Sequence, residues 1–223
     1  DHDGAGRLKD RARAVQHLAS ELRELGTAMI DRRLRHRTQH AIGNIGRTGD
    51  LEKVPARFDW VVNCVASGGG DAADYRRLYL QGTRNLLAWL APGPPQKFVY
   101  TSSTSVYSRN DGSLVRETDP AEPLTETAGI LRETETALLN AARQTAFPAV
   151  ILRVAGIYGP DRGHLLRQFL ADTARIEGTG GRFLNMIHRD DVVGCLIAAL
   201  QRGRPGEIYH AVDDEPVSQL DFF

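Results

Sequence analysis

Lys97-Phe-Val-Tyr-Thr-Ser-Ser-Thr-Ser-Val-Tyr107 is the run on which the fold of this chain turns. Its first four residues are apolar and β-prone, contain neither Gly nor Pro, and read as a buried strand. Five small hydroxyl residues follow, Thr101 to Ser105, before Val106 and Tyr107. A buried parallel strand that ends in hydroxyls delivers them to its carboxyl edge, where open α/β sheets bind ligands. Taken alone, the same run also fits a strand capped by a polar turn.

The neighbouring segments support the first reading. Asp59-Trp-Val-Val-Asn-Cys-Val-Ala66 is a continuous β-rich run, expected as a central strand buried on both faces. It ends in Ser67-Gly-Gly-Gly70, a flexible turn. Residues 72–90 have the spacing of a crossover helix with Tyr75, Leu78, Tyr79, Leu86, Leu87 and Leu90 on its apolar face, and Pro92, Pro94 and Pro95 stop it. After Tyr107 comes a polar loop, then a helix over 125–145 and another buried strand, Pro148-Ala-Val-Ile-Leu-Arg-Val154. Strands alternating with helical patterns predict a doubly wound, parallel α/β sheet, Rossmann-like, with the runs at 59–66, 97–102 and 148–154 adjacent or nearly so.

Ordered motifs then point to a family. Phe98-Val-Tyr-Thr-Ser-Ser-Thr-Ser-Val-Tyr107, Leu152-Arg-Val-Ala-Gly-Ile-Tyr-Gly-Pro160 and Asn185-Met-Ile-His-Arg-Asp-Asp-Val-Val193 occur in that order. Together they resemble the extended short-chain dehydrogenase/reductases, the NAD-dependent epimerase/dehydratase group, from about Phe58 to the C-terminus. The resemblance implies an NAD(P)-dependent oxidoreductase, epimerase or dehydratase acting on a small polar metabolite such as a sugar nucleotide. It implies that Ser103, three residues before Val106, is the catalytic hydroxyl, with Thr104 as second choice and Tyr107 as the nearest phenol able to act as acid. It sets Ala66, Ser67, Gly68 and Ser102 beside the cofactor, and Ala155, Gly156 and Tyr158 in the loop that lines the substrate pocket. His188 is read either as facing substrate or as a hydrogen-bonded structural histidine, with no metal-ligand partner at suitable spacing.

The chain departs from the family's pattern at two places. Members carry a Tyr-x-x-x-Lys pair near the start of the helix expected at 125–145; one helical turn sets the two side chains on one face, and the Lys lowers the phenol's pKa. Aligned on Gly129, Ala128 stands for the Tyr and Arg132 for the Lys, which resembles the atypical members that lack the pair. At the other place, the Gly-rich pyrophosphate turn, Gly4 and Gly6 have the first spacing, but Lys9 takes the third glycine's position and no apolar strand precedes. Cofactor binding is therefore expected to be weakened. The alternative is a non-catalytic NAD(P)-binding or regulatory protein of this fold, or an inactive truncated product.

An amphipathic helix is expected over 7–25, with Gly26 as C-cap, followed by a short strand at 27–30. Asp31 would accept from a ribose 2′-OH, whereas Arg32 would suit a 2′-phosphate, so NAD and NADP both stay open. A third strand is expected at 41–46. Past the core, residues 164–176 read as an amphipathic helix, 183–187 as a strand, Asp190 or Asp191 as cap of a helix through Leu200, 206–212 as the last strand, and Ser218 as cap of a final helix. The expected division is a dinucleotide-binding core over 1–160 and a small substrate lobe with returning core elements over 161–223, with both ends read as truncated.

Composition narrows the partners. The chain has 223 residues with 28 basic and 28 acidic side chains, which argues against a nucleic-acid or anionic-membrane surface. Its two cysteines, Cys64 and Cys195, sit in apolar runs and read as small core residues, with no disulfide framework. A soluble, cytoplasmic protein with a small-molecule substrate is expected, no metal site is proposed, and a homodimer is compatible with that reading.

Overall fold

The computed structural model describes residues 43–160, 162–176 and 178–223. The expected helix at 7–25, the strand at 27–30, Asp31, Arg32, the Gly4–Lys9 turn and the start of the 41–46 strand lie outside the described residues. What is described begins with a short helix, α1 (Thr48–Leu51). A four-stranded parallel sheet then takes the order β1 (Trp60–Asn63), β2 (Lys97–Ser103), β3 (Ala149–Val154), β7 (Ile208–Ala211). The three central runs are thus adjacent and parallel as expected, with Asn63 opposite Tyr100 and Ser103 opposite Val154.

Burial follows the strand period. Phe98, Tyr100, Ala149 and Ile151 face a cluster with Leu78, Leu86, Leu90 and Leu138, whereas Val99, Val150, Leu152 and Val154 face one with Val192, Ala199 and Ala211. β3 is buried along its whole length, which is why it shows no alternation in sequence. The first face is covered by α2 (Ala72–Tyr75), a π-helical segment at Arg76–Gln81, α3 (Gly82–Leu90) and α4 (Glu126–Thr145). The first three run on as one crossover, capped by Asp71, whose side chain accepts from the Asp74 N–H. α4 is capped by Thr125, whose side chain accepts from the Ala128 N–H, and ends where Ala146 turns left-handed at φ 54°.

β1 differs from the expected doubly buried centre. Among the described residues it pairs only with β2, Trp60 is 45% exposed, and Cys64 just beyond it is exposed rather than a core residue. An apolar run records that a strand forms but not which faces are covered.

The second face is covered by α6 (Arg189–Arg202). Its cap is His188, whose Nδ1 accepts from the Asp190 N–H at 3.3 Å, and not Asp190 or Asp191. Those two carboxylates sit in the first turn, favourably placed against the helix dipole. Two small sheets stand beside the core: β4 (Gly156–Tyr158) with β6 (Met186–His188), and β5 (Phe183–Leu184) with β8 (Val217–Ser218). The single strand expected at 183–187 is divided at Asn185, whose carbonyl accepts from the Gly156 N–H. α5 (His164–Leu170) is shorter than the amphipathic pattern suggests, because Asp172 adopts φ 52° and the Thr173 and Ala174 N–H groups both close back on the Gln168 carbonyl. Ser218 caps α7 (Gln219–Phe222) as expected. Among the described residues, no helix is long and apolar enough to cross a membrane.

Candidate active site

Because β1, β2 and β3 run parallel in register, the segments that leave them emerge on one edge of the sheet. After β1, the chain turns at Ser67, Gly68 and Gly69, with φ 67° and 104° at the two glycines. The Ser67 N–H donates to the Tyr79 hydroxyl at 3.2 Å, and the Gly69 N–H donates to Ser67 Oγ. Burial pushes the Tyr79 phenol up from its ordinary pKa, so it stays a neutral acceptor and donor. Among the described residues, nothing lies within 4 Å of where a Cβ on Gly69 would stand. Ala66 and Gly68 are exposed and Ser67 is half-buried.

β2 ends on the hydroxyls. Thr101 Oγ1 donates to the Asn63 carbonyl, binding the strand ends together. Ser102 is buried and its Oγ has no hydrogen-bond partner among the described residues. Ser103 caps a single 3-10 turn, Thr104–Val106, its Oγ accepting from the Ser105 N–H at 3.1 Å. Val106 is fully buried beneath that turn, and Ser103 and Thr104 remain half-buried. After β3, Ala155 is buried with its N–H on the Ala211 carbonyl, and Gly156 is exposed. The edge thus gathers Ala66–Gly68, Ser102–Thr104 and Ala155–Gly156.

Tyr158 and His188 form a second group, on the β4–β6 pair where they lie opposite each other. Their rings meet edge-on at 5.3 Å. Burial and the Asp213 carboxylate push the Tyr158 phenol up. Gly159, at φ 144°, lets the chain pass over the imidazole: a Cβ there would stand 3.1 Å from His188 Nε2.

Tyr107 leaves the Ser103 edge and reaches across β3 to β7. Arg153 Nη1 donates to its hydroxyl, the Arg153 guanidinium lies 4.8 Å over its ring, and His210 Nε2 is 2.8 Å from its oxygen. Arg153 in turn makes a two-pronged pair with Glu135 of α4, at 3.1 and 2.7 Å, with side chains only 4% and 2% exposed. Burial alone would favour a neutral guanidine, but the Glu135 carboxylate holds Arg153 above its ordinary value. Glu117 from the polar loop accepts from the His210 N–H at 3.1 Å.

Four members of this network, Glu117, Glu135, Arg153 and His210, escaped the sequence reading. Two signals were available. Arg153 interrupts a six-residue strand that is otherwise apolar, and Glu135 sits in the apolar stripe of α4 between Leu131 and Leu138. A lone charge in such a place needs an opposite partner. At the start of α4, Ala128 is buried and Arg132 exposed, so neither offers a proton-transfer group to the edge. Among the described residues there is no cluster of His, Cys, Asp and Glu able to hold a metal.

The chain matches the model of the NAD dependent epimerase/dehydratase family over residues 13–211. It is 36% identical to Protein YeeZ of Escherichia coli (strain K12) over 144 residues, covering 65% of this chain and 48% of that protein. It is 30% identical to the dTDP-D-glucose 4,6-dehydratase of Bos taurus over 149 residues, covering 62% of this chain and 41% of that enzyme. It therefore spans about half or less of the length of these curated relatives. Among solved structures, the UDP-glucuronic acid 4-epimerase of Bacillus cereus in complex with NAD superposes with a TM-score of 0.69 at 27% identity, over 80% of this chain and 61% of that one. With nearly the whole core matched and the sheet in the expected order, the chain belongs to the NAD dependent epimerase/dehydratase family.

Proposed function

We propose that this chain forms the dinucleotide-binding core of an enzyme that oxidises, reduces, epimerises or dehydrates a small polar metabolite, a sugar nucleotide first of all, with NAD or NADP as its cofactor. The observation that carries the reading is the buried Ser102 Oγ, left without a partner among the described residues at the edge where Ser103 and the Gly68–Gly69 turn emerge. A buried hydroxyl that the protein does not satisfy costs about 1–3 kcal/mol, and a ligand that bonds it recovers that cost. The described residues fit the nicotinamide end of a dinucleotide: an open glycine turn with exposed Ala66 and Gly68, beside small hydroxyls. Asp31 and Arg32, the candidates for reading the adenosine ribose, lie outside the described residues. When bound, the cofactor would accept or return a hydride. The relatives named as a sugar-nucleotide dehydratase and epimerase favour that substrate class.

In this reading Ser103 holds a substrate oxygen by hydrogen bond, with Thr104 beside it. Ser103 is favoured over Tyr107, because the Tyr107 hydroxyl is already engaged by Arg153 and His210. A serine hydroxyl of ordinary pKa orients an oxygen but does not readily take its proton unaided. The substrate side is formed by residues 161–223, His188 among them, together with Ala155, Gly156 and Tyr158 of the segment after β3.

A second reading, a non-catalytic binder of the same fold, is favoured by one observation: α4 presents Ala128 and Arg132 where relatives carry the proton-transfer pair. Fluorescence titration with reduced NAD and NADP tests the shared part of both readings. Binding that saturates with either nucleotide supports it, and absence of binding to both at millimolar concentration overturns it. Affinity is expected to be poor because of Lys9. A dissociation constant in the low micromolar range would mean that another segment supplies the pyrophosphate cradle.

A further inference from the structure

Five residues from five segments meet on the α4 face of the sheet, beside the Ser102–Thr104 edge. Arg153 of β3 and His210 of β7 lie opposite each other in register, next to Ser102 of β2. Glu135 of α4 fixes Arg153, Tyr107 follows the Ser103 turn directly, and Glu117 comes from the loop between that turn and α4. The Tyr107 ring also meets the His210 imidazole edge-on at 5.5 Å. The loop has few other ties to the sheet's end: its own bonds run among Arg109, Asp111, Ser113, Arg116 and Asp119.

We propose that His210 is a positioning residue for the Ser103 turn: as a neutral ring it accepts the Tyr107 O–H and anchors that turn, and on gaining a proton it releases it, while the Glu117 loop stays on the His210 backbone N–H. The inference rests on reading the Ser103 edge as the functional site, and it deepens that reading by making the site's geometry dependent on pH.

The chemistry follows from donors and acceptors. Arg153 Nη1 donates to the Tyr107 oxygen, so the phenol's own proton is free to point to His210 Nε2 at 2.8 Å or to the Arg116 carbonyl at 3.3 Å. The shorter contact is satisfied when Nε2 carries no proton. Protonation turns Nε2 into a donor, drives the phenol's proton to the longer contact, and sets an imidazolium opposite the Arg153 guanidinium. The charges around His210 come from every neighbouring segment. Arg153 opposes its proton, while Glu117, with an oxygen 3.9 Å from Nδ1, and the more distant Asp119 and Glu135 favour it. Glu135 is already spent on Arg153, Asp119 on Arg109 and the Arg116 N–H, and Glu117 is 42% exposed and so screened. Burial, the largest influence, adds to Arg153, and the His210 pKa is pushed below its ordinary value.

Hydrogen–deuterium exchange on the full chain at about pH 8 and about pH 5 brackets this titration. With labelling times scaled for intrinsic exchange, peptides covering 104–110 should exchange several-fold faster at the lower pH. His210→Gln sets a side-chain oxygen near the place of Nε2, able to accept from Tyr107 but unable to titrate, so its 104–110 peptides should stay protected at both pH values. His210→Phe should leave them unprotected at both. Equal exchange of 104–110 in the wild type at the two pH values overturns the proposal, as does a His210→Gln protein that opens at low pH like the wild type. The readout needs no substrate or nucleotide: a switch observed in a protein that binds neither NAD nor NADP would sink the proposed function and leave this inference standing.

Discussion

Replacing Glu135 by Ala is the most informative perturbation of the core. The Glu135 and Arg153 side chains are 2% and 4% exposed, and Glu135 accepts two of Arg153's donors. Removing the carboxylate leaves a buried guanidinium with, among the described residues, only the Tyr107 hydroxyl as hydrogen-bond partner. Breaking a buried pair from one side costs about 3–5 kcal/mol, because the remaining charge is uncompensated. For a domain of this size each kcal/mol moves Tm by roughly 2–4 °C, so Glu135→Ala should lower Tm by roughly 6–20 °C. The pair as a whole need not be so stabilising, since the desolvation of both ions offsets much of their attraction. Glu135→Leu combined with Arg153→Met should therefore be more stable than Glu135→Ala alone, by about 2 kcal/mol or more, and lie near the wild type. Urea unfolding followed by circular dichroism, run on Glu135→Leu, Arg153→Met and the double alongside Glu135→Ala, gives the coupling directly. A Glu135→Ala variant within about 1 kcal/mol of wild type would refute the argument, since an exposed pair is worth no more than that.

The other predictions bear on the site and the packing. Ser103→Ala should lower kcat roughly ten-fold or more in any assay that detects turnover, as expected for a lost transition-state hydrogen bond, whereas Thr127→Ala should change it little; equal small effects would mean the site is misplaced. Gly203→Ala should destabilise by about 1–3 kcal/mol, because a Cβ there would stand 2.5 Å from the Ala199 carbonyl and 3.0 Å from Val150, and a thermal melt matching wild type would contradict it. Stability should also depend on pH through His210. Its folded pKa lies below its ordinary value of 6.5, so the unfolded chain takes up the proton first. Its contribution is then complete above that value and is lost as pH falls through it toward the folded pKa. The Tm of wild type should decline over that interval more than that of His210→Gln, and parallel curves would exclude the imidazole as the source.

The sheet was legible in the sequence because β1, β2 and β3 are apolar runs bounded by Pro, Gly and hydroxyl clusters, as the 97–103 stretch shows. The carboxyl edge followed from the same runs: once strands are parallel, their ends coincide. Coverage was not legible. Trp60 and Cys64 belong to an apolar run, yet they are exposed, because nothing in a strand's own residues states what packs on it. The cap of α6 was misassigned for a local reason: Asp190 and Asp191 have the right chemistry for a cap, but the β6 strand runs one residue before Arg189 and leaves His188 in the extended conformation that a cap requires. The network around Tyr107 depends on register, with Ser102, Arg153 and His210 aligned across three strands separated by 51 and 57 positions. Spacing along the chain does not carry that alignment.

The π-helical segment at Arg76–Gln81 has a consequence for how relatives are to be aligned with this chain. There the Gly82 N–H reaches back five residues to the Arg77 carbonyl, so the crossover holds one residue more than a regular helix of the same length would. Each residue added to an α-helix turns everything beyond it by about 100°, yet Leu86 and Leu90 still face the sheet. The extra residue is absorbed locally, and it swings Tyr79, inside the bulge, to where its hydroxyl holds the Ser67 turn. A relative without the bulge should show a one-residue gap within 76–81 and no phenol opposite its β1 turn. Such a gap would mark, from sequence alone, which members of the family brace that turn from the helix and which leave it to be ordered by what binds there.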